Sequence, residues 1–132
     1  MSDFIKSVKE SNGIIIIETD GYLNNIGGEA ISAICYEKMS AGQNKFLINM
    51  AGTKVVNSIG VSILIEIIEK LQEVDGKIGY YNLVPIVSKT FNIMGLTPYV
   101  YRTKCLLKLI SGDFPDADPL ILAFRSVYRL KD

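Results

Sequence analysis

The chain has 132 residues, with 14 basic and 14 acidic side chains and no histidine, so it carries no net charge at pH 7. That length suits one domain around one buried core, and the charge balance, without any basic block, lacks the electrostatic footprint of a nucleic-acid binder. Without an imidazole there is no Ser-His-Asp or Cys-His arrangement and no histidine metal site, which counts heavily against a self-contained hydrolase; no catalytic residue, cofactor or metal is expected.

In chain order, Phe4 to Glu10 and Ile14 to Glu18 flank Ser11-Asn12-Gly13, a turn of the hairpin kind, and predict two opening strands. Four successive isoleucines from Ile14 predict burial on both faces of the second strand. Gly21 to Gly28 reads as a loop, followed by a helix with Ile31, Ile34, Cys35 and Met39 at inward spacing and Gly42 at its close. Gly27-Gly28 lacks the Gly-Lys-Ser/Thr end of a P-loop and reads as a flexible lead into that helix. Lys45 to Met50 is a short apolar strand, and Ile59 to Val74 carries apolar residues at helical spacing beside a polar stripe of Ser62, Glu66, Glu69 and Glu73. Leu64, Ile67, Ile68 and Leu71 can face a sheet; that face cannot also take Ile59, Val61 and Ile65, so part of this set is expected at the surface.

Lys77 to Asn82 predicts a further strand, and Pro85 opens a helix that packs Ile86, Val87, Phe91 and Met94 inward and stops at Gly95. Tyr99 to Thr103 is the last predicted strand. Alternating strands and helices imply an α/β layer with a partly parallel sheet, and pattern alone leaves several such folds open. Near the C-terminus, Asp118 caps a predicted helix begun by Pro119, with Leu120, Phe124, Val127 and Tyr128 on one side. The nearby Asp113 and Asp116 complete three carboxylates whose spacing is not that of an EF-hand loop.

The longest nearly apolar run, Ile59 to Ile65, ends at Glu66, far short of the ~20 residues that span a bilayer. Met1-Ser2-Asp3-Phe4 has no basic segment leading into an apolar signal core, so a soluble, cytoplasmic protein is expected. Cys35 and Cys105 form no Cys-x-x-Cys pair and are expected as free, packed thiols.

The stretch from Ile48 to Gly60 places one serine, Ser58, where a buried strand gives way to a helix, a position expected to be the N-cap. A hydroxyl there accepts a hydrogen bond from a first-turn N–H, worth about 1 kcal/mol. The same oxygen can instead carry a phosphate, whose charge suits the partly positive helix N-terminus.

Asn57-Ser58-Ile59-Gly60-Val61, following Leu47-Ile48-Asn49, resembles the Asp-Ser-(Ser/Thr)-Gly-Leu segment of anti-sigma factor antagonists, small bacterial members of the sulphate-transporter and anti-sigma-factor-antagonist (STAS) domain family. Gly21-Tyr22-Leu23-Asn24 resembles the family's Gly-x-Leu-Asp loop, Asp75-Gly76 its helix-to-strand turn, and Met94-Gly95-Leu96 its closing Met/Leu-x-Gly-Leu. The order and spacing agree from about Phe4 to about Arg102. Asn24 and Asn57 stand where the family has aspartate, which keeps hydrogen-bonding capacity and removes charge.

The resemblance implies the STAS fold, a mixed β-sheet with helices packed mainly on one face, over residues 1–110, with 111–132 as a helical extension of the same domain. It implies a partner-switching protein without catalysis of its own, bound and phosphorylated at Ser58 by an anti-sigma factor that is also a serine kinase. Tyr22, Leu23, Asn24, Asn57, Ser58, Ile59, Gly60 and Val61 are the implied contact surface. Two other readings stand beside it. An unphosphorylated STAS scaffold would form homo- or hetero-oligomers through the second helix or the C-terminal helix, whereas an enzyme would use an acid/base pair such as Asp20 with Glu29, or a metal at the tail aspartates.

Overall fold

The computed structural model describes residues 3–11 and 13–101. Arg102 and Thr103 of the last predicted strand, Cys105, the tail aspartates and the predicted C-terminal helix lie outside the described residues. The elements run β1 (Ile5–Ser11), β2 (Ile14–Leu23), α1 (Asn25–Ser40), β3 (Lys45–Val56), α2 (Ser58–Gln72), β4 (Lys77–Tyr81), α3 (Pro85–Ile93), a 3₁₀ turn (Thr97–Tyr99) and β5 (Val100–Tyr101).

The strands form one mixed sheet in the order β1-β2-β3-β4-β5, with β1 antiparallel to β2 and every later pair parallel. Each parallel pair is joined through a helix, as parallel neighbours require. Two rows cross the sheet in register, Ile15–Phe46–Ile78 and Ile17–Ile48–Tyr80. These rows and the buried side chains of all three helices join one apolar core, which sets the helices against one face. Tyr80 and Phe91 meet there edge to face, with ring centroids 5.4 Å apart.

Three expectations change and one, for α2, is met. Strand β2 runs on to Leu23 and α1 starts at Asn25, so Gly21 to Leu23 is strand rather than loop, and Gly27 and Gly28 are buried in the first turns of α1. Strand β3 continues past Met50 to Val56. In α2, Leu64, Ile67, Ile68 and Leu71 are buried as expected, and so is Val61; Ile65 is half-buried, which leaves Ile59 as the exposed member of the surplus set. That helix therefore offers no apolar docking stripe along its length. In α3, Val87 and Phe91 are buried and Met94 half-buried, but Ile86 is exposed. No described helix is long and apolar enough to cross a membrane.

Candidate functional site

The parallel strands β2 and β3 end level with each other, Tyr22 beside Val55 and Leu23 beside Val56. Each then makes the same move into a helix: Leu23-Asn24-Asn25-Ile26-Gly27 leads into α1 and Val56-Asn57-Ser58-Ile59-Gly60 into α2. Both first asparagines are extended N-caps, whose Oδ1 atoms accept from the N–H three residues on, Gly27 to Asn24 at 3.0 Å and Gly60 to Asn57 at 2.8 Å.

The N-cap of α2 is thus Asn57, and Ser58 is the first helical residue. This corrects the expectation that Ser58 caps. An amide oxygen reaches the third N–H as well as a hydroxyl does, and the one-residue shift releases Ser58 from the structural role. Ser58 is exposed, and among the described residues no hydrogen bond involves its hydroxyl; only its carbonyl is engaged, accepting from Ser62 Oγ at 2.8 Å.

The two turns are locked together. Asn57 N–H donates to the Leu23 carbonyl at 3.0 Å, and Asn57 Nδ2 donates to the Tyr22 hydroxyl at 3.2 Å. Gly60 is buried against the other turn: a Cβ there would lie 2.5 Å from the Leu23 carbonyl oxygen and 2.8 Å from that of Asn24. Beneath, the buried Thr19 and Thr53 hydroxyls meet at 2.7 Å and Thr19 also donates to the Asn49 carbonyl, tying β2 to β3 where their register shifts. The hydroxyl of Ser58 therefore stands on a rigid base.

Exposed apolar side chains share the strand ends and helix starts with Ser58, among polar ones such as Asn25 and Lys54. Tyr22, Ile26, Val55 and Ile59 are 47, 62, 53 and 59 % exposed, and they sit on the two strand ends and the two helix starts. Ile26 and Val55 lie outside the sequence-based set; the repeated Asn-x-Ile-Gly, at Asn24 and again at Asn57, is a signal that could have found Ile26. Of that set, Leu23, Gly60 and Val61 are buried and hold the backbone rather than offering side chains to a partner, whereas Asn24 and Asn57 are half-buried caps. Beside the exposed apolar side chains, a cleft of about 340 Å³ is lined by residues that include Asp3, Phe4, Asp20, Tyr22 and Ile26. Asp20 is exposed in that cleft; Glu29, its suggested acid/base partner, is exposed on α1 and does not line it. Among the described residues no cluster of carboxylates and thiols could hold a metal ion.

The STAS domain model matches residues 6–109. A search of curated proteins found no match. Among solved structures, the chain is similar to the Bacillus cell fate determinant SpoIIAA in its phosphorylated form, with 21% identity and a TM-score of 0.61 over 74% of this chain and 89% of that one. It is similar to an anti-sigma factor antagonist from Mycobacterium paratuberculosis, with 18% identity and a TM-score of 0.65 over 95% and 97% of the two chains. A sulfate transporter family protein from Wolinella succinogenes shares the fold at 14% identity and a TM-score of 0.60, over 70% and 79%. Matched by the family model over most of its length and built on the same five-stranded mixed sheet with three helices, the chain belongs to the STAS domain family.

Proposed function

We propose that this protein is a partner-switching regulator of the anti-sigma factor antagonist kind, binding an anti-sigma factor that is also a serine kinase and switched by phosphorylation of Ser58. The observation that carries the reading is the uncommitted, exposed hydroxyl of Ser58 at the first position of α2, with the exposed Tyr22, Ile26, Val55 and Ile59 on the same strand ends and helix starts. In the unmodified state these apolar side chains are a dry contact surface for the partner. Transfer of the γ-phosphoryl group forms a bond to Ser58 Oγ and breaks the bond to the β-phosphate; ADP leaves and the serine proton passes to the kinase's base. The protein itself supplies only the acceptor and its position.

The switch is electrostatic. A charge of roughly −1.5 to −2 at the start of α2 is tolerated by the folded chain, because the helix N-terminus is partly positive and its first-turn N–H groups lack intrahelical acceptors. Within an apolar contact the same dianion must be stripped of water, and every ~1.4 kcal/mol of that cost lowers affinity tenfold. Release follows without a change of fold.

Intact-mass spectrometry of the protein from its own host, alongside Ser58→Ala, tests the modification: a phosphate on the wild type and none on the variant is expected. Ser58→Asp should fold normally and lose capture of the anti-sigma factor in a pull-down; retained capture sinks the reading. A scaffold role draws on a different feature, the exposed Ile86 and Ile93 two turns apart on α3, together with the fold shared with a sulfate transporter family protein. It predicts a stable assembly in size-exclusion chromatography that Ile93→Asp disrupts and Ser58→Asp does not.

A further inference from the structure

The helices account for only one face of the sheet. Alternation along the strands places Ile14 and Ile16 of β2, Leu47 of β3, and Gly79 and Tyr81 of β4 on the opposite face. Leu47 is in register with Ile16 on one side and Gly79 on the other. Ile14 and Leu47 have 0% exposure and Tyr81 7%, yet none of the three belongs to the core that takes the buried side chains of α1, α2 and α3. A side chain in the middle of a sheet is fully withdrawn from water only when a second layer lies over it, and parallel sheets are generally covered on both faces.

We propose that this second face is the docking site for the chain's own C-terminal segment, residues 102–132, with Leu120, Phe124, Val127 and Tyr128 laid over Ile16, Leu47 and Tyr81. Three observations select that occupant. The described chain ends on β5 at Tyr101, in register with Tyr81, so the segment departs from a strand whose neighbour contributes to this face. The nineteen positions from Tyr101 to Leu120 reach at most about 65 Å when extended, and five strands spaced about 4.8 Å apart are far narrower than that. The four apolar residues recur at i, i+4, i+7 and i+8, one helical stripe.

The charged positions of the same face are Lys9, Lys45 and Lys77 against Glu18, a positive balance that suits Asp113, Asp116 and Asp118 just ahead of the apolar stripe. The segment is thereby a second layer of the domain rather than an appendage.

Methyl-labelled full-length protein tests this. Nuclear Overhauser contacts are expected from the Ile14, Ile16 and Leu47 methyls to the Phe124 and Tyr128 rings, and they should vanish in an isotope-filtered experiment on mixed labelled and unlabelled chains. Their absence, or their appearance only between chains, overturns the proposal, the latter making a second copy the occupant. In full-length Phe124→Asp the methyls of Ile14, Ile16 and Leu47 should shift while those of Ile31 and Ile67, in the helix-side core, stay in place. A folded variant with unmoved second-face methyls also overturns it.

Discussion

At the residue scale, one position separates a structural role from a free hydroxyl. Asn57 holds the first turn of α2 and Ser58 does not, so Asn57→Ala should lower stability by about 1 kcal/mol while Ser58→Ala stays within about 0.5, both read from urea unfolding. In sequence, serine and asparagine are almost equal as caps, and the apolar helical run read from Ile59 puts Ser58 at the cap. Two buried groups make a second test. Burial pushes the Cys35 thiol from its ordinary 9.0 up to about 12, and burial first, then Cys35 and Tyr99, raises the Tyr80 phenol. A group with a raised folded pKa keeps its proton after the unfolded chain has lost it. For Cys35 stability is therefore whole below about pH 9 and falls as the pH climbs toward 12, by up to about 1.4 kcal/mol per unit, and Tyr80 adds to the fall only above its ordinary 10.0. Cys35→Ala should flatten that alkaline fall in pH-dependent unfolding. Among the described residues the buried Tyr80 hydroxyl has no hydrogen-bond partner, so Tyr80→Phe should raise stability, by on the order of 1 kcal/mol, through removal of an unsatisfied polar group.

At the scale of elements, helix cores were legible and strand ends were not. The apolar spacing of α1 and α2 forecast the buried Ile31, Cys35, Leu64, Ile67, Ile68 and Leu71, because a helix shows its inward face in its own period. The apolar run of β3 ends at Met50 in sequence, where Ala51-Gly52 interrupts it. In the fold Gly52 is kept for a close approach: a Cβ there would lie 2.6 Å from the Thr19 carbonyl oxygen, and β2 passes β3 with a shift of register at that point. Gly60 does the equivalent for the helices, so Gly60→Ala should force the start of α2 away from Leu23 and Asn24. A loss of more than about 2 kcal/mol in urea unfolding is expected, well beyond any gain in helix propensity. Ile86 was misjudged for a simpler reason: α3 is nine residues long and buries only Val87 and Phe91.

At the scale of the whole molecule, the exposed apolar set draws on β2, α1, β3 and α2, and only the parallel pairing of β2 with β3 brings their ends together. Its members are exposed, so Ile26→Ser and Ile59→Ser should each leave unfolding within about 0.5 kcal/mol of the wild type. If the set is the partner's contact, each should also weaken capture of the anti-sigma factor at least tenfold in a binding titration, without any phosphorylation. Unchanged binding by both would assign the contact elsewhere. The sequence by itself determined the single α/β layer, the order of its elements and the family, since these reside in periodicity, turn residues and motifs that neighbours in sequence carry. Tertiary structure decided that Asn57 and not Ser58 caps α2, which members of the motif are buried, and that the exposed Ile26 and Val55 share the strand ends and helix starts with Ser58. Those outcomes depend on contacts between residues some thirty positions apart, made only when two parallel strands end at the same level.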